Sequence, residues 1–157
     1  MSAEQPPDLA AALIAQLADG IIFADREGRI RVWNQGAEAI FGHSAKEAIG
    51  ESLDLIIPER LRSAHWAGFD RAIETGQLKH GREPLATRSM RRDGATLYVD
   101  LSFALVRDRD GRILGAVAVA RDITRRFQEE RDLRRRLADC EQRAAGAGEG
   151  GGPSRGG

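Results

Sequence analysis

Along the chain the spacing of apolar positions changes period several times. The strictest pattern runs from Thr96 to Val106, where Leu97, Val99, Leu101, Phe103 and Leu105 alternate with Tyr98, Asp100, Ser102 and Ala104. Successive side chains of a strand point to opposite faces, so this alternation predicts a half-buried β-strand. Leu85 to Met90 and Ile113 to Ala120 flank it, reached through the turns Arg92-Asp93-Gly94 and Asp108-Arg109-Asp110-Gly111, which predicts a three-stranded antiparallel meander. Earlier in the chain, Ile21 to Asp25 and Arg29 to Trp33 stand on either side of Arg26-Glu27-Gly28 and read as a β-hairpin.

Between hairpin and meander the period lengthens to that of a helix. Asn34 is placed to cap a helix that carries Ala37, Ile40 and Phe41 and stops at Gly42. Ser44-Ala45-Lys46-Glu47 has the form of a capping box and opens a short helix ending at Gly50. Pro58 starts a third stretch, in which Leu61, His65, Phe69 and Ala72 recur every three to four residues up to Gly76. His65 thus shares an apolar face. The small Ala64 and Ala72 of that helix are expected opposite the large inward residues of the long strand, which leaves either a cavity or an interdigitated core. The element order is ββαααβββ, an α+β class.

The flanks differ from this folded unit, which spans residues 19–124. Leu9, Leu13 and Leu17 recur at helical spacing and predict an amphipathic helix within residues 1–18. Residues 125–145 are densely charged, and Glu130, Leu133, Leu137, Cys140 and Ala144 follow alternating steps of three and four, the spacing of a coiled-coil stripe. A lone amphipathic helix fits the same spacing. Residues 146–157 hold seven glycines and are expected to be disordered.

Composition narrows the function classes. The 157 residues carry 24 basic and 24 acidic side chains, so no net field favours nucleic acid as a partner. No apolar run approaches the roughly 20 residues of a membrane span. The single Cys140 excludes a disulfide framework within the chain and a multi-cysteine metal site, as expected of a cytoplasmic protein. Neither a glycine-rich phosphate loop nor a Gly-x-Ser-x-Gly elbow is present, and no histidine follows Asp122, so an enzyme or a phosphoacceptor helix is not expected.

The strings Asp19-Gly20-Ile21, Asp25-Arg26-Glu27-Gly28-Arg29-Ile30, Trp33-Asn34, Phe41-Gly42, Ile49-Gly50, Arg92-Asp93-Gly94 and Arg121-Asp122-Ile123-Thr124, in this order, resemble the PAS domain family over residues 10–125. The resemblance implies a five-stranded antiparallel sheet with helices on one face, flanked here by the N-terminal helix and the coiled-coil-like C-terminal helix. It also implies that Asp122, Ile123 and Thr124 relay a signal into that last helix. A second similarity is to the oxygen-sensing haem PAS domains of two-component kinases, through the interval from Pro58-Glu59 to His65. It implies haem b with His65 as iron ligand, Arg71 and His80 as propionate contacts (His80 being displaced by one residue), and Leu101 and Phe103 as apolar distal positions. Ala86 stands where those sensors carry an arginine over the gas site. If haem is not the cofactor, an unidentified small molecule or none takes its place, and His65 is then a pocket or core residue. The expected function is a cytoplasmic sensory domain, forming a homodimer through both flanking helices and signalling to a partner such as a histidine kinase in trans. A ligand-free interaction and dimerisation module is the alternative.

Overall fold

The computed structural model describes residues 8–80 and 83–148. Residues up to Ile123 form one compact unit, and those from Thr124 a second. In the first, α1 (Leu9–Gln16) leads into β1 (Gly20–Asp25) and β2 (Ile30–Trp33). Then come α2 (Gln35–Phe41), α3 (Ala45–Ala48), a 3-10 turn (Leu53–Leu55), α4 (Glu59–Thr75), β3 (Leu85–Met90), β4 (Thr96–Arg107) and β5 (Ile113–Asp122). The second unit holds α5 (Thr124–Ala147). The five strands form one antiparallel sheet in the order β2-β1-β5-β4-β3, with the helices following β2 on one face.

Local chemistry sets the helix boundaries. The Asn34 side chain accepts from the Ala37 amide, and Gly42 closes α2 in the left-handed conformation. At α3 the Ser44 and Glu47 side chains exchange hydrogen bonds with each other's backbone amides, the complete capping box. Gly76 ends α4 as Gly42 ends α2.

Alternation along β4 places Leu97, Val99 and Leu101 in the core, and the register sets Leu101 beside Ala120 and Phe103 beside Ala118. Ile22 and Ala24 of β1 join this inner face. Trp33, Ala37, Ile40, Phe41, Ala48, Leu53 and Ile56 complete a nearly dry core with them. The packing is looser further along. Phe103, Ala118, Trp66 and Phe69 are only half-buried against the core, and α4 buries just Ala72 and Ile73 of its 17 residues. Ala64, expected on the inner face, is exposed. It precedes His65 by one residue, about 100° around the helix, so the two cannot share a face.

Asn34 does more than cap. Besides Ala37, its Oδ1 accepts from the Ile21 amide at 2.8 Å, and its Nδ2 donates to the carbonyls of Ile14, Leu17 and Asp19 at 2.8, 3.3 and 3.0 Å. This buried amide fastens the end of α1 to β1 and α2. Leu13 and Ile14 of α1, and Leu17 just after it, are nonetheless substantially exposed. The second unit, α5, begins where predicted but continues to Ala147, past Gly146. Residues 149–157 of the glycine-rich tail and residues 1–7 lie outside the described residues.

Candidate functional site

The site builds outward from α4. His65 is half-buried there, flanked within the same helix by Trp66 (ring centroids 5.0 Å apart, edge-on) and Phe69 (6.1 Å, stacked). Trp66 is itself fixed: its indole N–H donates to Asp54 Oδ1 at 2.8 Å, and its ring lies over Gly28 in the β1–β2 turn. Gly28 has φ of +77°, and a Cβ there would collide with the indole, so both the turn and the aromatic packing require glycine.

Within this aromatic setting His65 Nδ1 is buried and has no hydrogen-bond partner. Burial lowers the imidazole pKa, and the carboxylates of Asp54 and Asp70 oppose that effect without reversing it. The ring is therefore neutral at physiological pH, the form in which imidazole accepts a hydrogen bond or ligates a metal. Since most buried polar atoms in folded proteins are paired, an unpaired one calls for a reason.

The other residues named from sequence spread around this point. Leu101 is buried and Phe103 half-buried, neighbours on the inner face of β4. Arg71 is exposed, six residues beyond His65 and about 120° around the helix from it. His80 is exposed in the α4–β3 connection. Ala86 pairs with Asp100 and faces outward, as does Arg88, which meets the Tyr98 hydroxyl at 3.1 Å. The inward positions of β3 are Leu85, Thr87 and Ser89, so Ala86 is not on the inner face of the sheet. Among the described residues no three His, Cys, Asp or Glu side chains gather as a metal site, which leaves His65 as a solitary donor.

At the far end of the sheet, Asp122 closes β5 opposite Val99, and Ile123 is buried with its N–H donating to the Tyr98 carbonyl at 2.9 Å. Thr124 opens α5. Arg121, the residue before this segment, forms a two-point ion pair with Asp19, which holds the Asp19 carboxyl below its usual range.

Three features escaped the sequence. His43 Nε2 is a second buried nitrogen without a partner, on a ring set edge-on to Trp33, whose indole donates to the His43 carbonyl at 2.9 Å. Burial, with Arg92 nearby, lowers its pKa against the pull of Glu47. A cavity of about 420 Å³ lies between α1, β2 and α2, lined by Ile14, Val32, Trp33 and Asn34 among others. Another, of about 370 Å³, is bounded by Gly42, Arg91, Arg92 and Asp93. Neither touches His65. The only advance signal was the Trp33-Asn34 pair, which spacing alone did not connect to a cavity.

A family model described as the PAS fold matches residues 14–128. The chain is 27% identical over 133 residues to the signal transduction histidine-protein kinase AtoS of Escherichia coli, an alignment covering 84% of this chain and 20% of AtoS. It is 32% identical over 93 residues to the sensor protein FixL of Bradyrhizobium diazoefficiens, covering 57% of this chain and 18% of FixL. It thus spans about a fifth of the length of these relatives. A crystal structure of a PAS domain from Colwellia psychrerythraea superposes with a TM-score of 0.65 at 23% identity, covering 74% of this chain and 95% of that one. The likeness to sensor kinases supports a signal-sensing role, and no helix among the described residues is long and apolar enough to cross a membrane. With the family model matched over most of the folded residues and the same sheet and helices in place, the chain belongs to the PAS fold family.

Proposed function

We propose that this chain is a sensory PAS domain whose ligand is held between α4 and the inner face of β4 and β5, with His65 as its polar contact. The observation that carries this is the unpaired, buried Nδ1 of His65, on a helix that is otherwise only loosely packed. A buried donor or acceptor left unmatched costs about 1–3 kcal/mol. A ligand that supplies the missing atom recovers that cost, giving it affinity at this point.

The donor chemistry fits haem b as one such ligand. His65 offers a neutral imidazole whose Nδ1 no protein group has claimed, Leu101 and Phe103 offer apolar wall, and Arg71 and His80 are the residues that would hold the propionates. When bound, haem would supply an iron able to take a diatomic gas. The chain's own part is to keep His65 neutral by burial, to exclude water with Trp66 and Phe69, and to anchor the rim. The outward side chain of Ala86 provides no charged donor over the site, which supports a ligand response other than selective oxygen binding.

Signal transfer is a shift of population between two arrangements of β4 and β5, since a ligand acts only through different contacts with the two. Strand β5 ends at Asp122 and is followed by Ile123 and by Thr124, the first residue of α5, and movement there is passed by the continuous backbone into α5. The receiver is a partner protein such as a histidine kinase, in a cytoplasmic setting that suits the exposed free thiol of Cys140. The exposed leucines of α1 and α5 support a homodimer, and they also favour the second reading, a ligand-free dimerisation module.

Absorption spectra of protein made in haem-supplemented cells separate these readings. A Soret band lost in His65→Ala and retained, with faster haem loss, in Arg71→Ala supports haem. Colourless protein that also fails to take up added hemin eliminates haem, and a bare chain mass in addition favours the ligand-free module.

A further inference from the structure

The cavity of about 420 Å³ between α1, β2 and α2 lies outside the site built on His65. Its size falls in the range of small-molecule sites, roughly 300–1,000 Å³. The small Ala11 and Ala15 of α1 leave the space open, and Ile14, Val32 and Trp33 give it apolar walls. Three polar residues complete the lining, Asn34, Gln35 and Glu38. Apolar walls with a few placed polar groups are the makeup of a ligand site.

What those polar groups still offer selects the ligand. The Asn34 amide is engaged by the protein, its Nδ2 with three carbonyls and its Oδ1 with two amides. The Trp33 indole N–H is likewise taken by the His43 carbonyl at 2.9 Å. Gln35 is an exposed, uncharged amide. Glu38 is half-buried and, among the described residues, the only charged member of the lining. Its Oε1 accepts from the Ala45 amide at 3.2 Å, and a carboxylate has lone pairs for further donors. The lining thus carries one negative charge and no positive one, which opposes an anion and attracts a cation. From this complementarity we infer that the cavity binds a small organic amine, its apolar body against Ile14, Val32 and Trp33 and its ammonium group on Glu38. The site is independent of the ligand proposed for His65. Its walls belong to α1 on one side and to β2 and α2 on the other, so an occupant also fastens α1 to the domain.

Trp33 reports on this cavity directly. In a Trp66→Phe background it is the only tryptophan, and heptylamine, 1-heptanol and heptanoate are probes of one chain length that differ in charge. At millimolar concentration heptylamine should shift Trp33 emission saturably, with 1-heptanol about fivefold weaker and heptanoate weaker still. Hydrogen exchange in the unsubstituted chain gives a second readout, and heptylamine should slow it in α1. Glu38→Gln, which keeps an acceptor for Ala45, should weaken heptylamine about fivefold and leave 1-heptanol unchanged. Ala11→Phe and Ala15→Leu fill the space from α1 and should abolish the response, whereas His65→Leu should leave it intact. A heptylamine response lost in His65→Leu but kept in both filling variants places the amine beside α4 and overturns the inference. Equal binding of the three probes, or no response of Trp33 and α1 to heptylamine, overturns it as well and leaves the reading of His65 standing.

Discussion

His65 runs against ordinary core logic. The imidazole carries an unpaired buried nitrogen, so in the absence of ligand it should cost stability rather than supply it. His65→Leu is therefore expected to raise the unfolding free energy of the ligand-free chain by about 1 kcal/mol, while abolishing ligand retention. Urea denaturation of the two proteins measures the first part, and a loss of stability in the leucine variant would show that His65 is a packing residue. Its titration gives a second handle. Burial lowers the folded-state pKas of both His65 and His43 from 6.5, so the unfolded chain binds protons more readily than the folded one as pH falls past that value. Stability should accordingly be complete above about pH 7 and decline on acidification through pH 6.5. Asp19, Asp25 and Glu47, whose pKas are lowered from 3.8 or 4.5, take part only in more acid solution. Thermal unfolding between pH 7.5 and 5.5 should thus show a drop in Tm that is smaller in His65→Leu, and a flat profile would contradict the neutral buried imidazole.

The elements divide into those written locally and those that depend on distant partners. Helices α2 and α3 were legible because a cap is a contact over three residues, as at Asn34 with Ala37 and Ser44 with Glu47. Strand β4 was legible because one face is buried and the other is not, so its sequence alternates. By contrast β3 reads Leu-Ala-Thr-Arg-Ser-Met, with too little contrast to fix which side faces in, and the outward turn of Ala86 had no local signal. Nor did the wider role of Asn34, whose bonds to Ile14, Leu17 and Asp19 cross 15 to 20 residues. The expectation that it only caps α2 understated it. Asn34→Ala should remove a buried acceptor for two amides and a donor for three carbonyls, destabilising the domain by about 2–4 kcal/mol, more than the ~1 kcal/mol of a simple cap. Hydrogen exchange in α1 should rise in the same variant. A cost near 1 kcal/mol with α1 unchanged would mean that the long-range bonds contribute little.

For the molecule as a whole, the candidate site was only half legible. Position along α4 pointed to His65, and alternation pointed to Leu101 and Phe103. Whether they enclose a ligand depends on how tightly α4 closes on the sheet, which no periodicity encodes. The structure leaves α4 loosely packed beside a dense core under α2 and α3, the asymmetry expected of a domain that keeps one half rigid and the other responsive. The central claim is that this looser half holds a ligand through His65. Native mass spectrometry of the full chain as purified tests it most directly. The account predicts a noncovalent species heavier than the polypeptide by one small molecule, present in the wild type and absent from His65→Leu. A bare polypeptide mass in both proteins, unchanged after incubation with hemin and with a small-molecule extract of the expressing cells, would contradict it.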